Sequence, residues 1–381
     1  MKKIGIITVQ GTIGNFGASL QCFALWSYLD SKSFDCEVID LLRAGHPNYI
    51  ESDKYKWPLE KRSSIRRLLS FVKWKIFLRY RKPVQGNTYT SERIYNFNKF
   101  NSKINYSKEY KSIDQLYNNP PRYDIYLTGS DQVWNPNIGF YNEPYFLTFA
   151  PKNSKKISYA SSIAISTLPD NYGKIYKKWL SDYDELSVRE TEGKTIIEDL
   201  IEKDVSVVMD PTFLIESTKW KELAIPPKRK SKYMFVYTVV DNEPLIGYAS
   251  KKAKEMGLVM VVTMSIPPTR TYSEDTVFVD SIGPLEWVGM IRDASCFITD
   301  SFHGTAFGIM LSTPFYVYIS LASRGGRIRS LLDIFSLSKQ CLSPEFEEFG
   351  SMEFDYEKTI GILNEQSELS KKFLLNAIQS K

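Results

Sequence analysis

The stretch from Ser301 to Thr305 carries the residue types best suited to chemistry in this chain of 381 residues. It follows an apolar run at 294–298 and opens a helical pattern, so it predicts a strand end followed by a helix start. The first turn of a helix offers unpaired N–H groups and a partial positive charge, which favour anion binding. Ser301, Gly304 and Thr305 are therefore candidate phosphate contacts. His303, one of two histidines, is a candidate for phosphate contact or acid catalysis, with a buried histidine in an ordinary capped helix as the alternative.

A second corner of this kind lies near the N-terminus and contains Gly11, Gly14 and Gly17. Glycines at a strand-to-helix corner let the backbone approach a ligand closely. Asp40, at the end of the next strand, superficially completes a dinucleotide-binding fingerprint. The glycine spacing is G-x-x-G-x-x-G rather than G-x-G-x-x-G, so the indication of a dinucleotide is weak. A glycine turn without a ligand is as consistent with the pattern as any named cofactor.

A third corner, at 129–135, follows a predicted strand at Ile125–Thr128. It combines Ser130, Asp131 and Gln132 with Trp134. Polar side chains can bind sugar hydroxyls, and a flat aromatic ring can lie under a pyranose. Asp131 is a candidate hydroxyl contact or base. The alternative is a capped turn with a buried tryptophan.

Charged residues follow two further predicted strands. Arg189 can bind phosphate or carboxylate through two parallel hydrogen bonds, and Glu190 is favourable at the start of the next helix. An ordinary ion pair between these two residues is an equally serious interpretation. Asp210, before Pro211, is interpreted as structural. A loop with two glycines adds three arginines that could bring positive charge to the same cleft: Arg324, Arg327 and Arg329.

The composition is that of a globular protein, with 43% hydrophobic and 24% charged residues. The length favours two cores rather than one. The four cysteines show no metal-ligand spacing, and we expect reduced thiols in a cytosolic protein that needs no metal. The N-terminal apolar run is too short for a signal peptide and predicts a first strand. No stretch approaches the roughly 20 apolar residues of a membrane-spanning helix.

Short apolar runs alternate with helical patterns in both halves, which is typical of α/β folds with parallel sheets. A proline-containing basic linker at 226–230 separates the halves. We predict two Rossmann-like domains facing a cleft: residues 1–215, with a basic insertion at about 47–110, and residues 228–345, followed by a closing helix within 346–381. The expected elements include strands at Ile125–Thr128 and Cys296–Thr299, and helices at Gly304–Leu311 and Glu368–Ile378.

The basic insertion has its own pattern. Between Lys54 and Lys82 there are eleven basic residues and one acidic residue, Glu60. Within 65–80 the apolar residues recur at helical spacing among arginines, lysines and aromatics. This predicts a basic amphipathic helix that contacts a membrane surface or a polyphosphate, or one that packs on its own domain with a solvated basic face. Nucleic acid is a poor candidate because no nucleic-acid motif is present.

Taken together, four motifs in order resemble the polysaccharide pyruvyl transferase family: residues 14–21, 129–135, 187–190 and 301–305. The resemblance implies a two-domain architecture like that of GT-B glycosyltransferases. It implies transfer of the enolpyruvyl unit of phosphoenolpyruvate onto a sugar, commonly galactose, with closure into a ketal. It also implies substrate contacts at the matching positions: Asn15, Gly17, Ser130, Gln132, Trp134, Arg189, Ser301, Gly304 and Thr305, with Arg327 added by the glycine loop.

The predicted function is therefore a cytoplasmic ketal-pyruvyl transferase with His303 and Asp131 as catalytic residues and no cofactor besides the donor substrate. The resemblance implies a lipid-linked oligosaccharide as acceptor, which would suit a peripheral position at the inner membrane face through the segment from Lys54 to Lys82. Two alternatives stay open at this point. One is another enzyme on the same architecture, either a glycosyltransferase that uses a nucleotide sugar or, as a weaker candidate, a dehydrogenase. The other is a non-catalytic protein that binds a sugar or a phosphate.

Overall fold

The computed structural model describes residues 2–44, 46–52, 54–55, 89–138, 141–229, 231–268, 276–319, 325–348 and 350–380. The helix predicted within 65–80 and the expected role of Arg324 lie outside these residues. Within them, no helix is long and apolar enough to cross a membrane.

The first half is built on parallel strands that alternate with helices. Four strands form a sheet in the order β2-β1-β3-β4, and isolated bridges at Ile157–Glu185 and Ser161–Val188 bring a short further pair, β5 and β6, to its β4 edge. The strands are Lys3–Ile7 (β1), Asp35–Val38 (β2), Ile125–Thr128 (β3), Lys155–Ser158 (β4), Ser187–Val188 (β5) and Ser206–Val207 (β6). The helices are Phe16–Ser31 (α1), Ser91–Asn101 (α2), Ile113–Asn118 (α3), Asp170–Leu180 (α4), Thr191–Ile201 (α5) and Ser217–Leu223 (α6).

The second half repeats the plan with a six-stranded parallel sheet in the order β12-β11-β10-β7-β8-β9. Its strands are Tyr233–Thr238 (β7), Val259–Met264 (β8), Thr276–Phe278 (β9), Cys296–Thr299 (β10), Phe315–Tyr318 (β11) and Cys341–Leu342 (β12). Its helices are Glu243–Glu255 (α7), Pro284–Arg292 (α8), Phe302–Leu311 (α9), Gly326–Ile334 (α10) and Tyr356–Gln379 (α11). Strand β10 is buried throughout, as expected of a parallel strand covered by helices on both faces.

The two halves share one hydrophobic core beside the cleft. Phe16, the first residue of α1, stacks on Trp287 of α8 at 5.5 Å between ring centroids and meets Tyr237 of β7 edge-on at 5.6 Å. Helix α2 also reaches across, because Asn96 Nδ2 donates to the carbonyl of Ser281 at 2.8 Å. The carboxyl ends of the strands in both sheets therefore face one another across a short gap.

Helix α11 returns the chain to the first half. The hydroxyl of Ser370 accepts a hydrogen bond from Met209 N at 2.9 Å, and Lys2 Nζ donates to the carbonyl of Ile378 at 3.1 Å. Leu374 and Ile378 are buried in the same core cluster as the strands of the first sheet. The helix begins at Tyr356, capped by the carboxylate of Asp355, so the sequence prediction found only its second half.

These sheets confirm the predicted fold class: an α/β protein with two Rossmann-like halves facing a cleft in a GT-B-like arrangement. Strands β3 and β10 have the predicted bounds. The expected glycine-rich loop is corrected, because the chain is helical from Gly326 to Ile334 and carries Arg327 in its first turn. Strands β1 to β6 lie within residues 1–215, and strands β7 to β12 within residues 228–345.

Candidate active site

Side chains from four strand ends meet in the cleft between the halves. Parallel strands end at the same edge of a sheet, so residues that follow them converge there. Asp131 follows β3, Arg189 follows β5, and Asp210 follows β6 by three residues. His303 is the second residue of α9, which starts just after β10. The sequence predicted three of these four residues and placed Asp210 outside the site.

Asp210 is the centre of this group. Its side chain is only 1% exposed, and its Oδ2 accepts hydrogen bonds from Arg189 Nη1 at 2.8 Å and from Ser130 Oγ at 2.9 Å. Its Oδ1 accepts from the amide and the hydroxyl of Thr212 at 3.1 and 2.9 Å. Burial opposes ionisation of this carboxyl, but the charges of His303 and Arg189 and these hydrogen bonds outweigh burial and hold its pKa below the ordinary range.

Arg189 is buried among acidic side chains. Besides Asp210, its Nη2 lies 3.4 Å from Asp131 Oδ1, and its Nε lies 3.9 Å from Glu190 Oε2. Burial disfavours the charged guanidinium, but the carboxylates of Asp210 and Asp131 reverse the effect and raise its pKa. The ring of Phe302 covers the guanidinium at 4.3 Å.

This arrangement corrects the expectation that Arg189 holds the substrate by a two-pronged contact. Its charge is already balanced by carboxylates of the protein, and an anionic substrate would have to displace one of them. The same arrangement gives the position of Glu190, which was expected either to open a helix or to form an ordinary ion pair with Arg189. Its Oε1 accepts hydrogen bonds from the amides of Ile163 and Ala164 at 2.9 and 3.1 Å, while its other oxygen faces Arg189.

His303 lies between residues of the opposite half. It is 7% exposed, and its Nε2 lies 3.5 Å from Asp210 Oδ2 without forming a hydrogen bond. Its Nδ1 side lies against the backbone of Gly17 in the first turn of α1, so closely that a Cβ at Gly17 would overlap the imidazole. The histidine comes from the second half, and both neighbours come from the first.

The Gly17 contact makes a testable prediction. Replacing Gly17 by Ala is expected to reduce turnover by about 10-fold or more, because the added methyl group must push the imidazole away from Asp210 and a small misplacement of a catalytic group is costly. Steady-state assays of the purified variant, with circular dichroism to check folding, measure the effect.

Gly247 provides the matched control. It lies inside α7, and a Cβ there would meet nothing within 4 Å. Gly247→Ala is expected to leave turnover unchanged and to raise stability by about 0.5–1 kcal/mol, since glycine is unfavourable inside a helix. Equal activity of the Gly17→Ala variant and the wild type would show that the imidazole position is unimportant.

Several groups of the predicted phosphate site at the start of α9 form hydrogen bonds with one another. Ser301 caps the helix, its hydroxyl accepting from Gly304 N at 3.3 Å, and the hydroxyl of Thr305 donates to the Ser301 carbonyl at 2.9 Å. Gly304 and Thr305 thus build the turn rather than offer free groups. The amides of Phe302 and His303 are the first-turn donors that the cap does not use.

Some side chains of the third corner, residues 129–135, are buried in the core, and others face the cleft. Trp134 is 0% exposed, with its indole N–H donating to the Tyr145 carbonyl at 3.0 Å and its ring stacked on Phe146. This corrects the expected sugar-stacking role, because the ring lies inside the core and supports the corner from behind. Ser130 is also buried and is occupied by Asp210 and by the carbonyl of Ala160.

Asp131 and Gln132 reach the cleft from this corner. Asp131 has a left-handed backbone (φ 71°), and its Oδ1 accepts from Gln132 N at 2.8 Å. Burial opposes its ionisation, but the charge of Arg189 prevails and lowers its pKa. When the side-chain amide of Gln132 is oriented with its oxygen toward Arg327, this oxygen accepts a hydrogen bond from Arg327 Nη2 at 3.2 Å. This hydrogen bond joins the two halves.

Asn15, the remaining predicted contact, caps α1, its Oδ1 accepting from Ala18 N at 3.1 Å. Sequence reasoning missed Asp210, Glu190 and Phe302 as parts of this site. Asp210 carried the same signal as the residues that were found, a polar side chain just after a strand, but the following proline favoured a purely structural interpretation. No group of three or more His, Cys, Asp or Glu side chains among the described residues is arranged to hold a metal ion.

The low pKa of Asp210 makes a prediction about acid stability. A carboxyl whose pKa is lower in the folded than in the unfolded protein (about 3.9) stabilises the fold above about pH 4, and this contribution is lost as the pH falls toward the folded value. Asp210→Asn is therefore expected to show a smaller loss of thermal stability between about pH 5 and about pH 3 than the wild type. An unchanged loss would mean that Asp210 does not titrate differently on folding.

Comparison with known proteins gives a family. The sequence profile of the polysaccharide pyruvyl transferase family matches residues 15–320. No curated protein sequence matches the chain. UDP-GlcNAc 2-epimerase from Neisseria meningitidis, solved with UDP-GlcNAc, is 12% identical with a TM-score of 0.47, covering 99% of this chain and 94% of that one. UGT89C1 from Arabidopsis thaliana, solved with UDP-L-rhamnose, is 10% identical with a TM-score of 0.47 over the same shares of the two chains.

Proposed function

Because this chain belongs to the polysaccharide pyruvyl transferase family and is a transferase, we propose that it moves the enolpyruvyl unit of phosphoenolpyruvate onto a sugar and closes it into a pyruvate ketal. The observation that best supports this function is the position of His303. An imidazole at the start of a helix faces the carboxylate of Asp210 across the cleft. Such a group can exchange a proton with a substrate whose phosphate is held by the same helix start.

In this proposal the donor phosphate binds at the first turn of α9. The amides of Phe302 and His303 and the positive end of the helix favour an anion there. Arg327 supplies a full positive charge nearby, since its guanidinium lies 6.0 Å from the ring of Phe302. Arg189 acts behind this site, keeping Asp131 and Asp210 ionised rather than touching the substrate.

The chemistry then needs three proton transfers: one to the methylene carbon and one from each of the two sugar hydroxyls. His303 in its protonated form gives a proton to the methylene carbon, which becomes a methyl group and leaves a cationic carbon beside it. A sugar hydroxyl adds to that carbon and returns a proton to His303. The bond from carbon to the phosphate oxygen breaks, phosphate leaves, and a second hydroxyl of the same sugar closes the ketal, its proton leaving with phosphate.

Asp131 suits a hydroxyl contact better than a base. A carboxylate whose pKa is held below its ordinary value is a weak acceptor of a whole proton but a good acceptor of a hydrogen bond. It also lies beside Gln132, whose partly exposed amide can bind a second hydroxyl. We propose that these two side chains orient the acceptor sugar, with galactose as the first candidate.

The last part of the proposal concerns the acceptor substrate and where in the cell the protein acts. A lipid-linked acceptor at the cytoplasmic membrane face would suit the eleven basic residues between Lys54 and Lys82, because each basic residue near an anionic bilayer contributes about 1 kcal/mol. We expect the protein to sediment with anionic vesicles and to be released by salt. Reversal of Arg66, Arg67 and Lys73 to Glu should abolish this; vesicle binding that survives the reversal would contradict it.

The decisive experiment follows phosphate release from phosphoenolpyruvate with and without a galactosyl acceptor. We expect one phosphate per ketal formed, with the ketal identified by mass spectrometry, and negligible release without an acceptor. A protein that leaves phosphoenolpyruvate intact but releases nucleotide from a nucleotide sugar would contradict the proposal.

A further inference from the structure

A second cationic side chain lies at the junction of the two halves, away from His303. Arg93 of α2 is 0% exposed, and its Nη2 donates to the carbonyl of Met264 at 2.5 Å. Its other two nitrogens, Nε and Nη1, have no hydrogen-bond partner among the described residues. A buried guanidinium with unused donors is costly, so a protein that keeps one needs a reason.

The surroundings of Arg93 do not neutralise it. Its guanidinium lies over the rings of Phe16 at 4.9 Å and Tyr89 at 5.3 Å. Among the described residues no carboxylate forms an ion pair with it, and the charge of Asp280 acts on it only from a greater distance. Burial accordingly lowers its pKa. Arg189 is the opposite case, since carboxylates of the protein surround it. Both arginines keep an Nε without a hydrogen-bond partner, but that of Arg189 faces Glu190 Oε2 at 3.9 Å. The unused donors of Arg93, Nε and Nη1, face no carboxylate at ion-pair distance among the described residues and are left for a ligand.

The position of Arg93 is that of a ligand site. Met264 ends β8, and at the same edge of the sheet the hydroxyls of Tyr237 and Ser265 lie 2.5 Å apart. Gly14, with a positive φ of 84°, brings the first corner of the chain against Ser265, where a Cβ would overlap the Ser265 carbonyl. Strands β8 and β10 are separated by β7, so the end of β8, where Arg93 binds, and the end of β10, which leads into α9, are roughly 10 Å apart at about 4.8 Å per strand spacing.

We propose that Arg93, with the hydroxyls of Ser265 and Tyr237, forms a second oxyanion subsite for a phosphate group, separate from the donor site at His303. A guanidinium recognises phosphate through several donors at once, and two hydroxyls can complete the contacts. A separation of roughly 10 Å exceeds the distance between two groups bonded to one three-carbon unit, so the second anion belongs to another part of the bound substrates. Its assignment to a phosphate on the sugar acceptor rests on the proposed function, whereas the subsite itself does not.

Tyr89 covers this subsite. Its ring lies over the guanidinium and is partly exposed, so the phosphate enters by displacing Tyr89. A site that is closed by an aromatic ring excludes water when empty, which strengthens the later contact between guanidinium and phosphate.

The test uses inorganic pyrophosphate as the probe and thermal unfolding of the full chain as the readout, so it does not depend on turnover. Saturating pyrophosphate is expected to raise the melting temperature of the wild type by about 2 °C or more. His303→Asn should keep this response, and both Arg93→Met and Arg93→Gln should lose it. Arg93→Met should unfold no earlier than the wild type without ligand, because an unpaired buried charge has been removed.

Arg229→Met is the control for loss of one positive charge, since Arg229 Nη1 donates to the hydroxyl of Ser231 at the surface, 3.2 Å away. It should respond to pyrophosphate like the wild type. A normal response of both Arg93 variants would overturn the proposal. Phosphoenolpyruvate provides the second arm: its stabilising effect depends on the start of α9 and should be kept in Arg93→Met. Loss in Arg93→Met would make Arg93 part of the donor site and overturn the separate subsite.

Discussion

Replacing His303 by Asn is expected to lower turnover by roughly 10²-fold or more, the usual effect of removing a group that transfers a proton. Asparagine approximates the size of the imidazole, so the contacts with Gly17 and the start of α9 should survive and the fold should remain intact. Single-turnover measurements of phosphate release, together with the melting temperature, separate a chemical defect from a folding defect.

His46 supplies the matched control, because it is the other histidine of the chain and its Nδ1 accepts only a local hydrogen bond from Asn48 N at an exposed position. His46→Asn should leave turnover and its pH dependence unchanged. If His303→Asn retained the wild-type rate, His303 would have no part in proton transfer, and the helix start would be a binding element alone.

Replacing Arg189 by Met is expected to reduce the free energy of unfolding by about 3–5 kcal/mol, the typical result of removing one partner of a buried ion pair. The change leaves the carboxylates of Asp210, Asp131 and Glu190 beside one another without their shared cation. The pKa values of Asp210 and Asp131 should rise, since the charge of Arg189 that lowers both is lost and burial then favours the protonated forms. Chemical denaturation of the variant at neutral pH measures the loss.

Lys219→Met is the comparison, because Lys219 forms a surface ion pair with Glu222 in which both side chains are more than half exposed. It should unfold with the wild type, since exposed pairs contribute little. Arg189→Met with wild-type stability but a raised Michaelis constant for phosphoenolpyruvate would restore the first interpretation of Arg189 as a substrate clamp.

The sequence predicts the regular parts of this fold well because they follow from local patterns. Strands β3 and β10 are short apolar runs with clear polar ends, and both were found with their bounds. Helix α11 was found only from Glu368, because its first half is largely polar and packs by a few positions such as Leu363. Helix α4 was missed although its apolar residues Tyr176, Trp179 and Leu180 lie on one buried face, since charged residues separate them.

The sequence predicted where the site lies but not which role each of its residues has. Polar residues after strands indicated where the cleft would be, since parallel strands share their carboxyl edge. Which of those residues pair with one another depends on three-dimensional positions. For Arg189 the sequence left a substrate contact and an ion pair with the next residue, Glu190, equally open. The other two carboxylates beside it come from 58 positions earlier and 21 positions later, which no local pattern shows. Trp134 was read as a sugar platform because its burial behind Tyr145 is likewise a long-range property.

Helix α11 has a consequence for synthesis of the protein. Asp210 follows Met209, and the amide of Met209 is bound by Ser370, eleven residues from the end of this sequence. A chain that emerges from the ribosome with its first sheet complete still lacks the helix that fixes this strand end. Deletion of α11 from Ser370 onward would therefore disturb the carboxylate of Asp210, although these two residues are 160 positions apart in the sequence.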